Sequence, residues 1–364
     1  MPASASASAS APAPTPVDRA QVAATALVDA MSTRQVAGQL VMTAATVAQF
    51  RSLRPLVVRY HLGGVMVRGR SDAGTKAVGS AVAAVQAAAP AHLPLLVATD
   101  QEGGEVQVLR GPGFPAIPSA VAQSTRSPAR LRHDAHRWGA ALRKAGVTVD
   151  LAPVADVPCA AHAAHNPPVG DLHRNYGRSI DGAARSVAAV VRGLGDAGVA
   201  TSVKHFPGLG CVGANTDTTT RVVDTTTTAR STSLRPFRSG MAAGSRMVMV
   251  SSAVYERLDP GRPALFSHRI VTGLLRQRLG FTGVVISDDV GGAAAVRTVP
   301  VGQRATRFVA AGGDLLLDIV PADVPTIVAA LTKKANSDQG FARLERAAAI
   351  RVVAERLRLA NHLR

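Results

Sequence analysis

An α/β fold, specifically a single-domain (β/α)8 barrel, is what this sequence predicts. Eight short apolar, β-rich runs recur along it, most followed by stretches with apolar residues every three to four positions. Strands that alternate with amphipathic helices build a parallel sheet. Several of these runs stop abruptly on ionisable or hydroxyl residues beside Gly-rich loops, and barrels present their working side chains at the carboxyl ends of their strands. The chain has 364 residues, 47% of them apolar, enough for a barrel of about 250 residues with additions.

The first residues repeat Ala, Ser and Pro. Such a stretch cannot pack a core, so residues 1–17 read as a flexible or extended linker and 18–364 as the barrel with a C-terminal helix. The apolar runs then fall at 36–43, 63–67, 95–99, 147–152, 199–203, 246–250, 283–287 and 313–317. Between them, 73–89 and 185–197 carry the apolar spacing of helices that lie against a sheet. The last stretch, 339–364, reads as an amphipathic helix on the outside of the barrel. A doubly wound sheet would show the same alternation, but no dinucleotide-type Gly-rich fingerprint is present.

The residues just past the runs are the most informative. The third run leads into Asp100-Gln101-Glu102-Gly103-Gly104 and the fourth into Pro153-Val154-Ala155-Asp156. The fifth reaches Lys204-His205, the sixth Ser251-Ser252, the seventh Asp288-Asp289 and the eighth Asp318. One terminal carboxylate is a chance event; a ring of them at one end of successive strands is the layout of a barrel site.

These motifs resemble glycoside hydrolase family 3, in its single-domain β-N-acetylhexosaminidase branch. The resemblance spans roughly Thr33 to Leu331. It rests on Gly38-Gln39-Leu40, Gly63-Gly64-Val65, the Asp100 and Asp156 segments, Lys204-His205-Phe206-Pro207-Gly208, Leu234-Arg235-Pro236-Phe237 and Phe281 to Asp289. It implies a retaining mechanism on terminal β-linked N-acetylglucosamine of cell-wall muropeptides or chitin fragments, with no metal or cofactor. Asp288 resembles the family nucleophile, a carboxylate that can hold a covalent glycosyl intermediate. Asp100, Lys204, His205 and Arg174 resemble residues that hold the sugar. Asp156 is either a further ligand or a brace for neighbouring loops.

The departures fall where the family transfers protons. Its loop after Lys-His-Phe-Pro-Gly ends in Asp-Ser-His, and that His is the acid/base. Here the aligned residues are Asn215-Thr216-Asp217. Either Asp217 is the acid/base, giving the two-carboxylate scheme of most retaining glycosidases, or the protein only binds cell-wall glycans or turns over activated substrates. A third reading has His162, His165 or His173 supply the proton. A β-glucosidase-type activity is a further alternative. The family places Arg where Glu105 and Val108 stand, so one sugar-contacting cation is missing unless Arg110 or another residue substitutes. Ser252, Val290 and Gly291 also differ from the family pattern.

Cys159, His162 and His165 have metal-ligand spacing, but no second matching pair accompanies them. A Cys159–Cys211 disulfide is the expected use of the two cysteines, whose loops follow neighbouring strands. The net charge of +17 suits an anionic surface, while 3% aromatics and no basic, aromatic-interleaved motif argue against nucleic acid. The expectation is a monomer, secreted or held at the cell surface, whose leader lies outside this sequence. It would associate with the cell wall peripherally or through a lipid anchor, and its partner would be carbohydrate.

Overall fold

A computed structural model describes residues 18–361; the Ala/Ser/Pro segment read as a linker lies outside the described residues. Eight parallel strands form the centre: β1 (Val41–Ala45), β2 (Gly64–Val67), β3 (Leu96–Thr99), β4 (Val149–Asp150), β5 (Ala200–Phe206), β6 (Met247–Val250), β7 (Val284–Ser287) and β8 (Leu316–Asp318). Each strand pairs with its sequence neighbours, and β1 also pairs with β8. A parallel bridge between Ile286 and Leu315 joins β7 to the start of β8 and closes the ring.

The strands alternate faces as period two requires. Met42, Met66, Leu96, Met247, Met249, Ile286 and Leu317 fill the barrel interior, while Val41, Val65, Val97, Val248 and Val285 pack outward into the main hydrophobic cluster. Helices such as Gly74–Gln86, Pro128–Lys144, Ile180–Asp196 and Val301–Ala311 connect successive strands. Gly240 shows how tightly they sit: a Cβ there would lie 2.7 Å from a methyl of Val203 in β5.

Two expectations are corrected. The run at 36–43 is not one strand: its first part belongs to the helix Thr33–Gln39, and β1 begins at Val41. The cause is a capping box, in which Ser32 and Gln35 bond each other's backbone N–H groups and start a helix despite the apolar run. The C-terminal helix, Gln339–Asn361, also does not lie on the outside. Val352 and Leu359 join the interior cluster. Arg356 donates to the carbonyls of Leu93 and Pro94 just ahead of β3, and to Gln39 ahead of β1. The helix therefore caps the amino-terminal mouth of the barrel, and burial pushes the Arg356 guanidinium down to about 9. A stripe of Ala and Val reads the same from sequence whether it faces a helix layer or a barrel floor. Among the described residues no helix is long and apolar enough to cross a membrane.

Candidate active site

The carboxyl ends of the strands surround a cavity of about 430 Å³ lined by Arg68, Asp100, Arg174, Lys204, His205, Asp217, Asp288 and Asp289 among others. A larger recess of about 680 Å³ opens at the opposite mouth, between the C-terminal helix and the starts of β6 and β7. Its carboxylates Glu355 and Asp18 are already paired with Arg246 and Arg358. The strand-end residues converge on the first cavity, not the second.

One wall is a buried ion network. Glu102, behind Asp100 on a short hairpin, accepts two hydrogen bonds of 2.8 Å from Arg174 and lies 2.7 Å from Lys204 Nζ. Lys204 Nζ also donates to Asp100 Oδ1 at 2.6 Å. Burial pushes the Glu102 carboxyl up, but the charges of Arg174 and Lys204 outweigh it and hold the group down to about 2. Burial likewise opposes the charge on Lys204, and Asp100 and Glu102 raise it above the usual range regardless.

A second set orients His205. Arg174 Nη2 can only donate, so its 3.3 Å contact makes His205 Nε2 the acceptor and leaves the ring proton on Nδ1. That proton faces Asp156 Oδ2 at 2.7 Å. Asp156 also accepts from the backbone N–H groups of His205 and Leu209. With its side chain fully buried and its oxygens occupied, Asp156 stands behind the cavity, in the bracing position, where it fixes the imidazole and the turn beyond it.

Asp288 follows β7 and is partly exposed to the cavity. Burial raises its carboxyl to about 6, and the negative charge of Asp217 adds to the rise. Asp289, beside Asp288 on the cavity wall, accepts backbone N–H bonds from Gly291, Gly292 and Ile319. Gly291 leaves room for this turn, since a Cβ there would lie 2.3 Å from Asp318 Oδ1. Burial pushes the Asp318 carboxyl up to about 7.

The loop carrying Asp217 is fastened on both sides. Asn215 Oδ1 accepts the Asp217 backbone N–H at 2.9 Å, so Asn215 shapes the turn. The carbonyls of Thr216 and Asp217 accept from Ala295 and Ala294 beyond β7. At its root a disulfide joins Cys211 to Cys159, and Asn166 Nδ2 donates to the carbonyls of Leu209 and Val212. The bond closes a sequence separation of 52 residues, which in the chain-entropy account stabilises the fold by about 4 kcal/mol. Replacing both cysteines by Ser is expected to lower the thermal midpoint, and reductant to lower it in the parent protein but not in the double variant. Differential scanning calorimetry checks both.

The structure thus gathers Asp100, Arg174, Lys204, His205, Asp217 and Asp288 around one cavity, with Asp156 behind it. His162, His165 and His173 are not among the lining residues; His165 instead pairs with Asp171 at 2.8 Å. Among the described residues no group of three or more His, Cys, Asp or Glu is placed to hold a metal. Arg110 does not enter the cavity, because its guanidinium bonds the carbonyls of Gln107 and Gly104. Sequence reasoning missed Glu102 as the hub of the ion network, although the acid two residues after Asp100 was a visible signal. It also missed Arg68, whose place directly after a strand was the only hint.

Glu102→Gln is expected to destabilise the fold by about 3–5 kcal/mol at neutral pH, because it leaves two buried cations without their shared partner. In the parent protein the folded pKa of Glu102 lies below the unfolded value. Its contribution is therefore present above about pH 4.5 and lost as pH falls towards 2. Urea unfolding from pH 3 to 7 checks this: the gap between parent and variant narrows on acidification.

A closed parallel barrel whose strand ends bring carboxylates, a Lys and an oriented His to one recess has the layout of an enzyme active site. Residues 32–353 match the glycosyl hydrolase family 3 N terminal domain, and the chain belongs to that family of glycosidases. The chain is 34% identical over 267 residues to a beta-hexosaminidase of Stenotrophomonas maltophilia strain K279a, covering 70% of this chain and 76% of the relative. Its fold is similar to the crystal structure of a beta-N-acetylhexosaminidase from Beutenbergia cavernae, with a TM-score of 0.86 and 44% identity over 90% of this chain and 98% of that one. It is also similar to a family 3 beta-N-acetylglucosaminidase from Paenibacillus sp. str. FPU-7, with a TM-score of 0.81 and 29% identity over 91% of this chain and 64% of the other.

Proposed function

We propose that this protein is a retaining β-N-acetylhexosaminidase that releases terminal β-linked N-acetylglucosamine from cell-wall or chitin-type glycans. The observation that carries the reading is the cavity shared by Asp288 and Asp217, with Asp100, Lys204, His205 and Arg174 around it. The names of the similar hexosaminidases support the choice of sugar.

In the first step the Asp288 carboxylate bonds to the anomeric carbon as the glycosidic C–O bond breaks. The Asp217 carboxylic acid gives its proton to the departing oxygen. In the second step Asp217, now a carboxylate, takes a proton from water. The water oxygen bonds to the anomeric carbon, and Asp288 leaves as a carboxylate. Asp100 and Lys204 hold sugar hydroxyls, while Asp156 keeps the His205 ring turned towards the cavity. An exported protein at the cell wall fits the net charge of +17 and the disulfide, since anionic wall polymers attract cations and oxidising compartments preserve such bonds.

The test is turnover of an aryl β-N-acetylglucosaminide beside the matching glucoside, with the anomer first formed read by proton NMR. Preference for the N-acetyl sugar and initial release of the β anomer are expected. Release of the α anomer overturns the retaining mechanism, preference for the glucoside overturns the sugar, and binding without turnover leaves a glycan-binding scaffold.

A further inference from the structure

The cavity holds a cation that the mechanism does not use. Arg68 is the first residue after β2, and its backbone N–H donates to Ala45 of β1 at 3.0 Å, which extends the strand pairing by one residue. Its side chain lines the cavity. Its Nε is buried and has no hydrogen-bond partner. The other cavity-lining cations are satisfied: Arg174 by Glu102, Lys204 by Asp100 and Glu102. Among the described residues, no ion pair includes Arg68. A buried guanidinium N–H without an acceptor burdens the fold, and an incoming oxygen removes that burden.

The strand register says where that oxygen belongs. Val67 of β2 pairs with Thr99 of β3, so Arg68 and Asp100 are the next residues on two adjacent strands. Asp100 nonetheless pairs with Lys204 and not with Arg68. An acceptor and an unpartnered donor therefore stand side by side at one edge of the cavity. We infer that Arg68 is a substrate-binding residue that works with Asp100 as a clamp on vicinal hydroxyls of the non-reducing sugar. One hydroxyl donates to the Asp100 carboxylate, and its neighbour accepts from the Arg68 guanidinium. This inference rests on the sugar-cleaving reading of the same cavity and adds a specificity residue to it.

Binding of N-acetylglucosamine and its monodeoxy analogues is measured by calorimetry on the full chain with Arg68, Arg68→Met and Arg68→Lys, beside Arg110→Met as a variant outside the cavity. Arg68→Met is expected to weaken binding by about 10- to 100-fold, as for a lost charge-assisted hydrogen bond. Arg68→Lys should recover part of the loss and Arg110→Met should show none. One deoxy analogue should bind the parent poorly yet lose nothing further in Arg68→Met, which marks the hydroxyl involved. In turnover the change should appear in KM with kcat nearly unmoved, the pattern of an interaction made equally in ground and transition states. The thermal midpoint of Arg68→Met should stay level or rise. Equal affinity in parent and Arg68→Met, or a marked fall in its thermal midpoint, overturns the inference. If the parent ignores N-acetylglucosamine but binds another monosaccharide, the choice of sugar falls and the Arg68 comparison runs on that sugar. If it binds none, both readings fall.

Discussion

Asp288→Asn is expected to reduce turnover of an aryl β-N-acetylglucosaminide by about 10⁴-fold or more, the scale on which loss of a catalytic nucleophile is felt. The same change should make the protein more stable. The folded Asp288 carboxyl titrates at about 6, above its ordinary value of 3.8, mainly because burial penalises the ionised form. The folded state therefore holds this proton more tightly than the unfolded one. That preference stabilises the fold fully below about pH 4 and is lost as pH rises through 6. At pH 7–8 the parent carries an ionised carboxylate against its environment, and Asn does not. After allowance for solvent reaching a partly exposed group, the gain is about 1–2 kcal/mol. The difference should shrink to nothing by about pH 4, where both side chains are neutral. Thermal unfolding across pH 4–8 reads this directly. Because only the carboxylate can attack carbon, kcat/KM of the parent should rise with pH through about 6 on its acid limb. Loss of activity without the gain in stability would mean that Asp288 is not held in the environment described here.

That opposition between activity and stability explains why the site was easier to read than its surroundings. Asp100, Lys204, His205 and Asp288 each break an apolar run at its carboxyl end, where a packed strand has no use for charge. The interruption is a local signal and survives in the sequence. Asp156 breaks its run in the same way, yet its carboxylate points behind the cavity. Position along a strand does not reveal which way a buried side chain turns. Glu102 escaped notice because its partners, Arg174 and Lys204, are distant in sequence, and only the folded barrel joins them. Arg68 looks like the start of an ordinary Arg-Gly-Arg loop until the register of β2 against β3 sets it beside Asp100. The fold was legible for a related reason: period-two alternation and helical spacing are local patterns. The C-terminal helix shows the limit, since an Ala- and Val-rich stripe packs equally well on a barrel's flank or beneath its floor.

The decisive prediction for mechanism concerns Asp217. Asp217→Ala should slow release of a poor leaving group such as an alkyl alcohol or a sugar hydroxyl by about 10²–10⁴-fold, the usual contribution of a positioned general acid. With a dinitrophenyl leaving group, which departs without a proton, formation of the glycosyl-enzyme should be nearly unaffected. The second step still needs a base to activate water, so the glycosyl-Asp288 adduct should accumulate and become visible by intact mass spectrometry. Azide needs no deprotonation and should discharge that adduct as a β-glycosyl azide, restoring turnover. Asp217→Asn should behave like Ala, because the amide keeps the shape of the side chain but cannot carry the proton. The position of Asp217 makes this test sharp. Its backbone is tied to Asn215 and to Ala294, and Cys211 anchors the same loop to Cys159. Removal of the carboxyl should therefore leave the loop in place, and the kinetic change reports chemistry and not loop disorder. Equal losses on both leaving groups, with no azide rescue, would remove Asp217 from the acid/base role. The proton would then have to come from another group at the cavity mouth.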